Sequence, residues 1–437
     1  MSSSTATQTI LPAKNLIGSL RLPGDKSISH RYAMLAGLAE GTTRLTNFST
    51  GADCASSLGV VEALGAKVAR IALPSGEPAI EITGTAGNFQ QPKSPLDCGN
   101  SGSTMRMMSG LLSPHPHTFT LIGDESLSRR PMERIRKPLM QMGAQLTLTD
   151  GHAPITITGG PLTAIAFDTP IPSAQVKTAV LFAGLQANGV TSLSEKIRTR
   201  DHGEIALRAF GAELIRTADT ISIAGGQKLY AIEAAVPGDI SSAAFFLCAA
   251  LLFPDSNLVL DGLGMNPTRA ALLDVLTTFG GKFNVLNLEE KHGELVGTVS
   301  VQAPKHGLIG ADISGATAAQ LIDELPVLAA IAPYSANGIK IRDAKELRVK
   351  ESDRIALVAE NLRAMGAEVT EHEDGLDVPG NQRLRGADIN SGGDHRIAMA
   401  FSVAALRAEG ETIIHGSEAA SISFPEFYAL LNQIAER

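Results

Sequence analysis

At 437 residues the chain is too long for one hydrophobic core and suits two domains. A formal net charge of −8 and an aromatic content of 4% argue against a nucleic-acid binder, which would present a basic surface with stacking aromatics. Three cysteines without a CxxC pair suit a reducing compartment, and the longest apolar run, Ala243 to Phe253, is too short to span a bilayer.

The chain opens on a Ser/Thr-rich stretch with no basic start or apolar segment, so no signal peptide is expected. A repeating pattern follows. Six short polar openings each lead into a helix of small residues: Lys26-Ser27-Ile28-Ser29-His30-Arg31, Asn100-Ser101-Gly102-Ser103, Ser173-Ala174-Gln175-Val176-Lys177, Asp239-Ile240-Ser241-Ser242, Asp323-Glu324 and Asp394-His395-Arg396. Successive openings are 74, 73, 66, 84 and 71 residues apart, so the unit is longer than a solenoid repeat.

In the first repeat, Tyr32 to Ala39 reads as a short apolar helix ended by Gly41, and Thr43 to Phe48 alternates like a half-buried strand. Cys54 to Leu64 reads as a second helix with Gly65 after its end, and Lys67 to Ile71 as another strand. The second-helix endings rhyme: Leu64-Gly65-Ala66, Met142-Gly143-Ala144, Phe210-Gly211-Ala212, Phe279-Gly280-Gly281 and Met365-Gly366-Ala367. The sixth repeat closes on a helix from Pro425 to Ala435. Leu22-Pro23-Gly24-Asp25 and Val236-Pro237-Gly238-Asp239 precede the first and fourth openings. They read either as ordinary turns or as two chain crossings between domains of three repeats, 24–238 and 1–23 with 239–437. If the strand from Thr7 to Leu22 packs with the second triplet, the crossings lie side by side and could hinge.

A helix start carries unpaired N–H groups and a positive dipole end, which suit an anion. Several such ends facing one cleft would hold a highly anionic small molecule. Lys and Arg concentrated at the openings of an acidic chain fit a small phosphorylated ligand better than a polyanion.

Five segments in order carry a more specific signal: Leu22 to Arg31, Gly99 to Arg106, Arg129 to Met132, Leu347 to Arg354 and Asp394 to Met399. In these the chain resembles the 5-enolpyruvylshikimate-3-phosphate synthase family, over nearly its whole length. The resemblance implies an α/β (α+β) enolpyruvyl transferase-like inverse fold. Each of two similar domains would hold three βαβαββ repeats with parallel helices inside sheets, the active site lying in the cleft between them. It implies transfer of the enolpyruvyl group of phosphoenolpyruvate to the 5-hydroxyl of shikimate 3-phosphate, through a tetrahedral intermediate, with release of phosphate. No cofactor or metal is implied, nor any nucleic-acid or membrane partner, and the enzyme would be a cytoplasmic monomer inhibited by glyphosate.

By the family pattern, Lys26, Ser27 and Arg31 would hold shikimate 3-phosphate, with Lys26 also reaching phosphoenolpyruvate. Ser173, the Ala174 backbone and Gln175 would grip the shikimate phosphate and ring, and Arg200, within Arg200 to Glu204, would add a charge-assisted contact. Asn100, Gly102, Arg130, Gln175, Arg354, His395 and Arg396 would surround phosphoenolpyruvate. Asp323 would be the base for the 5-hydroxyl and Glu351 the leading candidate for protonating the methylene, with Lys26 and Lys350 tuning both. Arg suits bidentate recognition of carboxylate and phosphate, whereas Lys supplies a point charge.

Blander readings stand beside these. Arg348, Lys350, Glu351, Asp353 and Arg354 also fit a solvated helix face laced with i,i+4 pairs. His395 fits a cap or core position, and Cys98 a small buried residue without chemistry. His115 and His117 flank Pro116 in a turn with no second ligand cluster to make a metal site. Arg106 fits a buttress one turn after Ser103.

The chain also departs from the family. Many members carry a Lys just before Ser-Phe-Pro near the C-terminus; here Ile422 precedes Ser423-Phe424-Pro425. Segments Gly24 to Ser27, Ser173 to Lys177, Arg200 to Glu204 and Asn266 to Arg269 resemble the subclass associated with glyphosate tolerance. The unsubstituted Gly102 leaves room for the inhibitor, so binding competitive with phosphoenolpyruvate, at reduced strength, is expected. The sister enzymes that act on UDP-N-acetylglucosamine normally carry Lys-Asn at the first opening, where this chain has Lys26-Ser27. An RNA-processing protein of related repeats is disfavoured by the acidic balance and absent Trp. A dead homologue is disfavoured because every proposed acid and base is present except the late Lys.

Overall fold

The computed structural model describes residues 6–269 and 271–437. The first residues of the Ser/Thr-rich start, and of the domain expected to begin at residue 1, lie outside that range. The chain forms two compact units. One takes in the chain up to Pro23, Gly238–Glu289 and Leu295–Arg437; the other is Gly24–Pro237 with Glu290–Glu294.

Within the Gly24–Pro237 unit, each repeat builds one four-stranded sheet from the same recipe. In the second repeat, Leu96–Asp97 runs parallel to Thr118–Ile122, and the helix Gly102–Leu112 joins them. The chain then passes through the helix Glu133–Gln141 and adds the antiparallel hairpin Gln145–Thr149 and His152–Thr158. Burial alternates along Thr118–Ile122 and His152–Thr158, as a sheet with one face on the core requires. The third repeat copies this with Ala166–Asp168, Val190–Ser194, Leu214–Arg216 and Thr220–Ala224. The first repeat lacks a preceding strand of its own. Glu233–Ala235, at the end of the unit, takes that place beside Thr42–Thr46, opposite the hairpin Lys67–Ala72 and Pro78–Thr83.

The other unit uses the same order and closes with the N-terminal segment. Asn15–Arg21 pairs parallel with Asn257–Gly264 in the fourth repeat, and Thr7–Ile10 pairs antiparallel with Thr412–His415 in the sixth. The stretch from Thr7 to Leu22 thus belongs with the second triplet.

The core helices are Lys26–Leu38, Gly102–Leu112 and Ala174–Gly184 in one unit, and Ile240–Leu251, Leu325–Ile331 and His395–Ala405 in the other. Nearly all their residues are buried; in Ile240–Leu251 all twelve are. A helix apolar on every side belongs inside a protein, and these six sit in the two hydrophobic cores. The rhymed glycines Gly65, Gly143, Gly211, Gly280 and Gly366 all have φ between 88° and 104°, the left-handed conformation that ends a helix at low steric cost.

Two sequence readings change. The first helix begins at Lys26 rather than Tyr32, because the Asp25 side chain accepts from the Ile28 amide and starts the helix inside the polar stretch. The Arg348 to Arg354 stretch is not a solvated helix face. Lys345–Val349 is a short 3-10 turn, the chain bends, and a new helix begins at Arg354, itself only 1% exposed.

Candidate active site

In the Gly24–Pro237 unit, the first turns of the three core helices assemble cations and amides. Lys26 starts the first helix and its Nζ lies 2.9 Å from Asp53 Oδ2, with a fifth of its side chain still exposed. One turn later Arg31 is buried; its Nη1 donates to the Ser27 carbonyl at 2.8 Å and its Nη2 to Thr178 Oγ1 at 3.0 Å. Burial lowers its pKa to about 10, opposed by Glu204 and Asp25, and it remains charged at neutral pH. Thr178 lies in the helix capped by Ser173, so Arg31 ties the first opening to the third.

The second opening is built around a guanidinium. Arg130 Nη2 donates to Asn100 Oδ1 at 2.6 Å and Ser126 Oγ at 3.3 Å, while Asn100 Nδ2 donates to Asp124 Oδ2 at 2.6 Å. Arg106, from within the helix, donates to Gln175 Oε1 at 2.7 Å and to the Pro131 carbonyl. Gln175 in turn donates to Ser103 Oγ at 2.9 Å, which fixes its amide between the second and third openings. Arg106 is therefore the buttress its spacing allowed. Gly102 is where two guanidiniums converge: a Cβ there would stand 3.1 Å from Arg106 Nη1 and 3.4 Å from Arg130 Nη1.

The third opening is held from behind. Lys177 is fully buried and pairs with Glu195 and Glu204, each at 3.0 Å, and donates to the Thr199 carbonyl. These bonds tie down the loop that carries the half-buried Arg200. Ser101 and Ser173 cap their helices by accepting from the Thr104 and Val176 amides. The remaining first-turn amides have no acceptor within the helix, as at any helix start.

In the other unit the candidate residues gather on one guanidinium. Arg354 Nε donates to Asp394 Oδ2 at 2.8 Å, its Nη2 to Glu351 Oε2 at 2.6 Å, and its Nη1 lies 3.6 Å from Asp323 Oδ1. Burial alone would lower the Arg354 pKa, but Asp394 and Glu351 reverse the sign and raise it. Burial likewise opposes ionisation of Asp394, yet Arg354 holds its pKa below the usual carboxylate value. Lys350 Nζ approaches Asp323 Oδ1 at 3.8 Å; burial lowers its pKa, partly offset by that carboxylate. Arg396 donates to the Asp323 carbonyl at 2.9 Å, and its own amide is capped by Asp394. His395 is buried in the same first turn. Behind them, Ser241 bonds to Glu324 and receives a bond from Arg269, so the fourth opening supports the fifth.

The structure thus brings Lys26, Ser27, Arg31, Asn100, Gly102, Arg130, Ser173, Ala174, Gln175 and Arg200 into one unit. It brings Asp323, Lys350, Glu351, Arg354, His395 and Arg396 into the other. Sequence reasoning gave no role to Asp53, Asp124 or Asp394. For Asp394 a signal existed, since an Asp directly before a helical run is an N-cap that also faces the field of nearby cations.

The family model described as EPSP synthase (3-phosphoshikimate 1-carboxyvinyltransferase) matches residues 10–431. The chain is 62% identical over 428 residues to the 3-phosphoshikimate 1-carboxyvinyltransferase of Koribacter versatilis (strain Ellin345), covering 98% of this chain and 99% of that protein. It is 51% identical over 438 residues to the protein of that name from Solibacter usitatus (strain Ellin6076), covering 98% and 99%. Among solved structures, EPSP synthase from Acinetobacter baumannii matches with a TM-score of 0.84 at 41% identity, over 98% of each chain. The enolpyruvyl transferase NikO from Streptomyces tendae shares the fold, with a TM-score of 0.78 at 19% identity over 99% of this chain and 98% of that one.

Proposed function

This chain belongs to the EPSP synthase family, and from that premise we propose which of its residues carry the reaction. It transfers the enolpyruvyl group of phosphoenolpyruvate to the 5-hydroxyl of shikimate 3-phosphate, giving 5-enolpyruvylshikimate 3-phosphate and phosphate. The acceptor UDP-N-acetylglucosamine is not favoured.

Both substrates carry a phosphate and a carboxylate, and the openings of the Gly24–Pro237 unit supply the matching cations. Lys26, Ser27, Arg31, Ser173, Ala174, Gln175 and Arg200 hold shikimate 3-phosphate. Asn100, Gly102, Arg130 and Gln175, with Lys26, hold phosphoenolpyruvate, and Arg354, His395 and Arg396 complete its set. In the addition step the 5-oxygen bonds to C2 of phosphoenolpyruvate, its proton passes to Asp323, and the methylene carbon takes a proton from Glu351. In the elimination step the bond from C2 to the phosphate oxygen breaks, the new methyl group returns a proton to Glu351, the departing phosphate takes up the proton held on Asp323, and the double bond reforms. Lys350 beside Asp323 stabilises the charge that moves on and off that carboxylate.

The observation that carries this reading is the shared guanidinium of Arg354, which holds Asp323, Glu351 and Asp394 within 3.6 Å. Three carboxylates persist together only where cations neutralise them, and two of these retain solvent access for chemistry: Asp323 at 20% and Glu351 at 15% side-chain exposure. The enzyme acts as a cytoplasmic monomer. The three free buried cysteines fit a reducing compartment, no helix among the described residues is long and apolar enough to cross a membrane, and one copy supplies every residue named. Glyphosate competes with phosphoenolpyruvate beside Gly102.

The test mixes purified protein with phosphoenolpyruvate and either acceptor and follows phosphate release. Release with shikimate 3-phosphate is expected; release only with the UDP-sugar would overturn the reading. Inhibition by glyphosate that is insensitive to phosphoenolpyruvate concentration would overturn the competitive assignment. A light-scattering mass near 45.6 kDa checks the monomer.

A further inference from the structure

The Arg200 to Glu204 segment is clamped from one side by Lys177, but its other clamp comes from far along the chain. Residues Glu290–Glu294 belong to the same unit as Gly24–Pro237, although more than fifty residues separate them from its end. His202 Nδ1 and Glu294 Oε1 are 2.6 Å apart, and each side chain is only 3% exposed. Gly293 lies so close to the helix His202–Ala209 that a Cβ would stand 3.1 Å from Ile205 Cγ2. His292 Nε2 lies 2.9 Å from the Glu233 carbonyl oxygen and seats the same turn from outside.

A carboxylate so nearly removed from water is costly unless it is paired and put to use. Its position gives the use. The His202 ring that it holds lies two residues after Arg200, at the start of the helix His202–Ala209, so the pair fixes the end of the loop that carries Arg200.

We propose that Glu294 is a positioning residue for shikimate 3-phosphate: through His202 it sets the loop that carries Arg200. The inference rests on the assignment of Arg200 to that substrate. It puts a specificity determinant on a hairpin turn that contributes no ligand-contacting side chain of its own.

The test is steady-state phosphate release by the full chain carrying Glu294→Ala or Glu294→Gln, each substrate varied with the other saturating. For Glu294→Ala, KM for shikimate 3-phosphate should rise about tenfold, the scale of losing one charged hydrogen bond, with kcat and KM for phosphoenolpyruvate within about twofold. Glu294→Gln keeps the shape and one acceptor for His202, so it should recover part of the loss; it also decides the matter if the alanine variant does not fold. In a His202→Ala background, Glu294→Ala should add little, because the loop has already lost that clamp; a full additional rise would overturn the route through His202. Equal rises in both KM values, or a fall in melting temperature with KM unchanged, would overturn the inference and leave the functional reading intact. Failure of the unmodified protein to release phosphate with shikimate 3-phosphate would overturn both.

Discussion

In the Gly24–Pro237 unit, serine caps two of the three core helices, Ser101 and Ser173, and only the first has an acidic cap, Asp25. In the other unit the cap positions are Asp239, Glu324 and Asp394. A carboxylate at a helix start neutralises the positive dipole end from within, whereas a serine satisfies one amide and leaves the field for a ligand. The cations follow the same division. Arg31 donates to the Ser27 carbonyl and the Thr178 hydroxyl, Arg130 donates to Asn100 and Ser126, and Lys26 pairs with Asp53. Arg354, Lys350 and Arg396 are each held against carboxyl-bearing residues. One scaffold, used twice, thus yields one half whose core helices start mostly on serine and another whose core helices start on acidic residues.

The comparison breaks most sharply at Arg354. Replacing it with Leu leaves Asp394, fully buried, and Glu351 without their shared cation. Removing one partner of a buried ion pair costs about 3–5 kcal/mol, so denaturant unfolding should shift strongly and turnover should vanish. In the other unit, Arg130→Leu removes hydrogen bonds to the neutral Asn100 and Ser126, and a smaller loss of stability is expected. Equal losses would mean that the two halves do not differ as described.

Next in size are the carboxylates themselves. Asp323→Asn and Glu351→Gln should each lower kcat by ~10²–10⁴-fold with little change in melting temperature, since both stay partly exposed. Retained methylene protonation in Glu351→Gln, followed by solvent deuterium incorporation, would remove Glu351 from the acid role. Arg130→Lys keeps the charge but gives up the planar fork, so KM for phosphoenolpyruvate should rise roughly tenfold while KM for shikimate 3-phosphate moves little.

Gly102→Ala should have a smaller effect, set by geometry. The added methyl would press on the ends of two guanidiniums at 3.1 and 3.4 Å, which can give by a few tenths of an ångström. A rise of a few-fold in KM for phosphoenolpyruvate is expected, with a larger loss of glyphosate inhibition. Unchanged inhibition would show that the inhibitor does not approach this backbone.

How much of this was legible in the sequence follows from the range of each interaction. The repeat, the rhymed glycines and the polar openings are local patterns, and each appears in the structure as a sheet, a helix end or a first turn. The fold class and the family were legible because several motifs stand in a fixed order. The supporting shell was not: Asp53 meets Lys26 across 27 positions, Thr178 meets Arg31 across 147, and Glu294 meets His202 across 92. The start of the first helix was misplaced for the opposite reason. Asp25 caps it so closely that the polar stretch read as a preamble is its first two turns.

The smallest expected effect concerns a buried chain of hydroxyls that links the first and second openings. His30 Nδ1 meets Ser57 Oγ at 2.8 Å, Ser57 meets Thr104 Oγ1 at 2.8 Å, and Thr104 meets Ser101 Oγ at 2.8 Å. Burial first, and then Lys26 and Arg31, hold the His30 pKa well below its ordinary value. The imidazole therefore stays neutral in the folded protein, while the unfolded chain takes up a proton near pH 6.5. In that window the unfolded state binds more protons, so His30 contributes its full stability above about pH 6.5 and progressively less as pH falls. Asp394 acts with the same sign but further down, because a depressed carboxylate loses its contribution only below about pH 3.9. Mild acid should therefore draw on His30 before Asp394. His30→Gln should flatten the fall in urea stability between pH 7 and 5.5 by up to ~1.4 kcal/mol per pH unit. An unchanged slope would mean that His30 takes up its proton equally in the native and unfolded states, and would overturn this assignment.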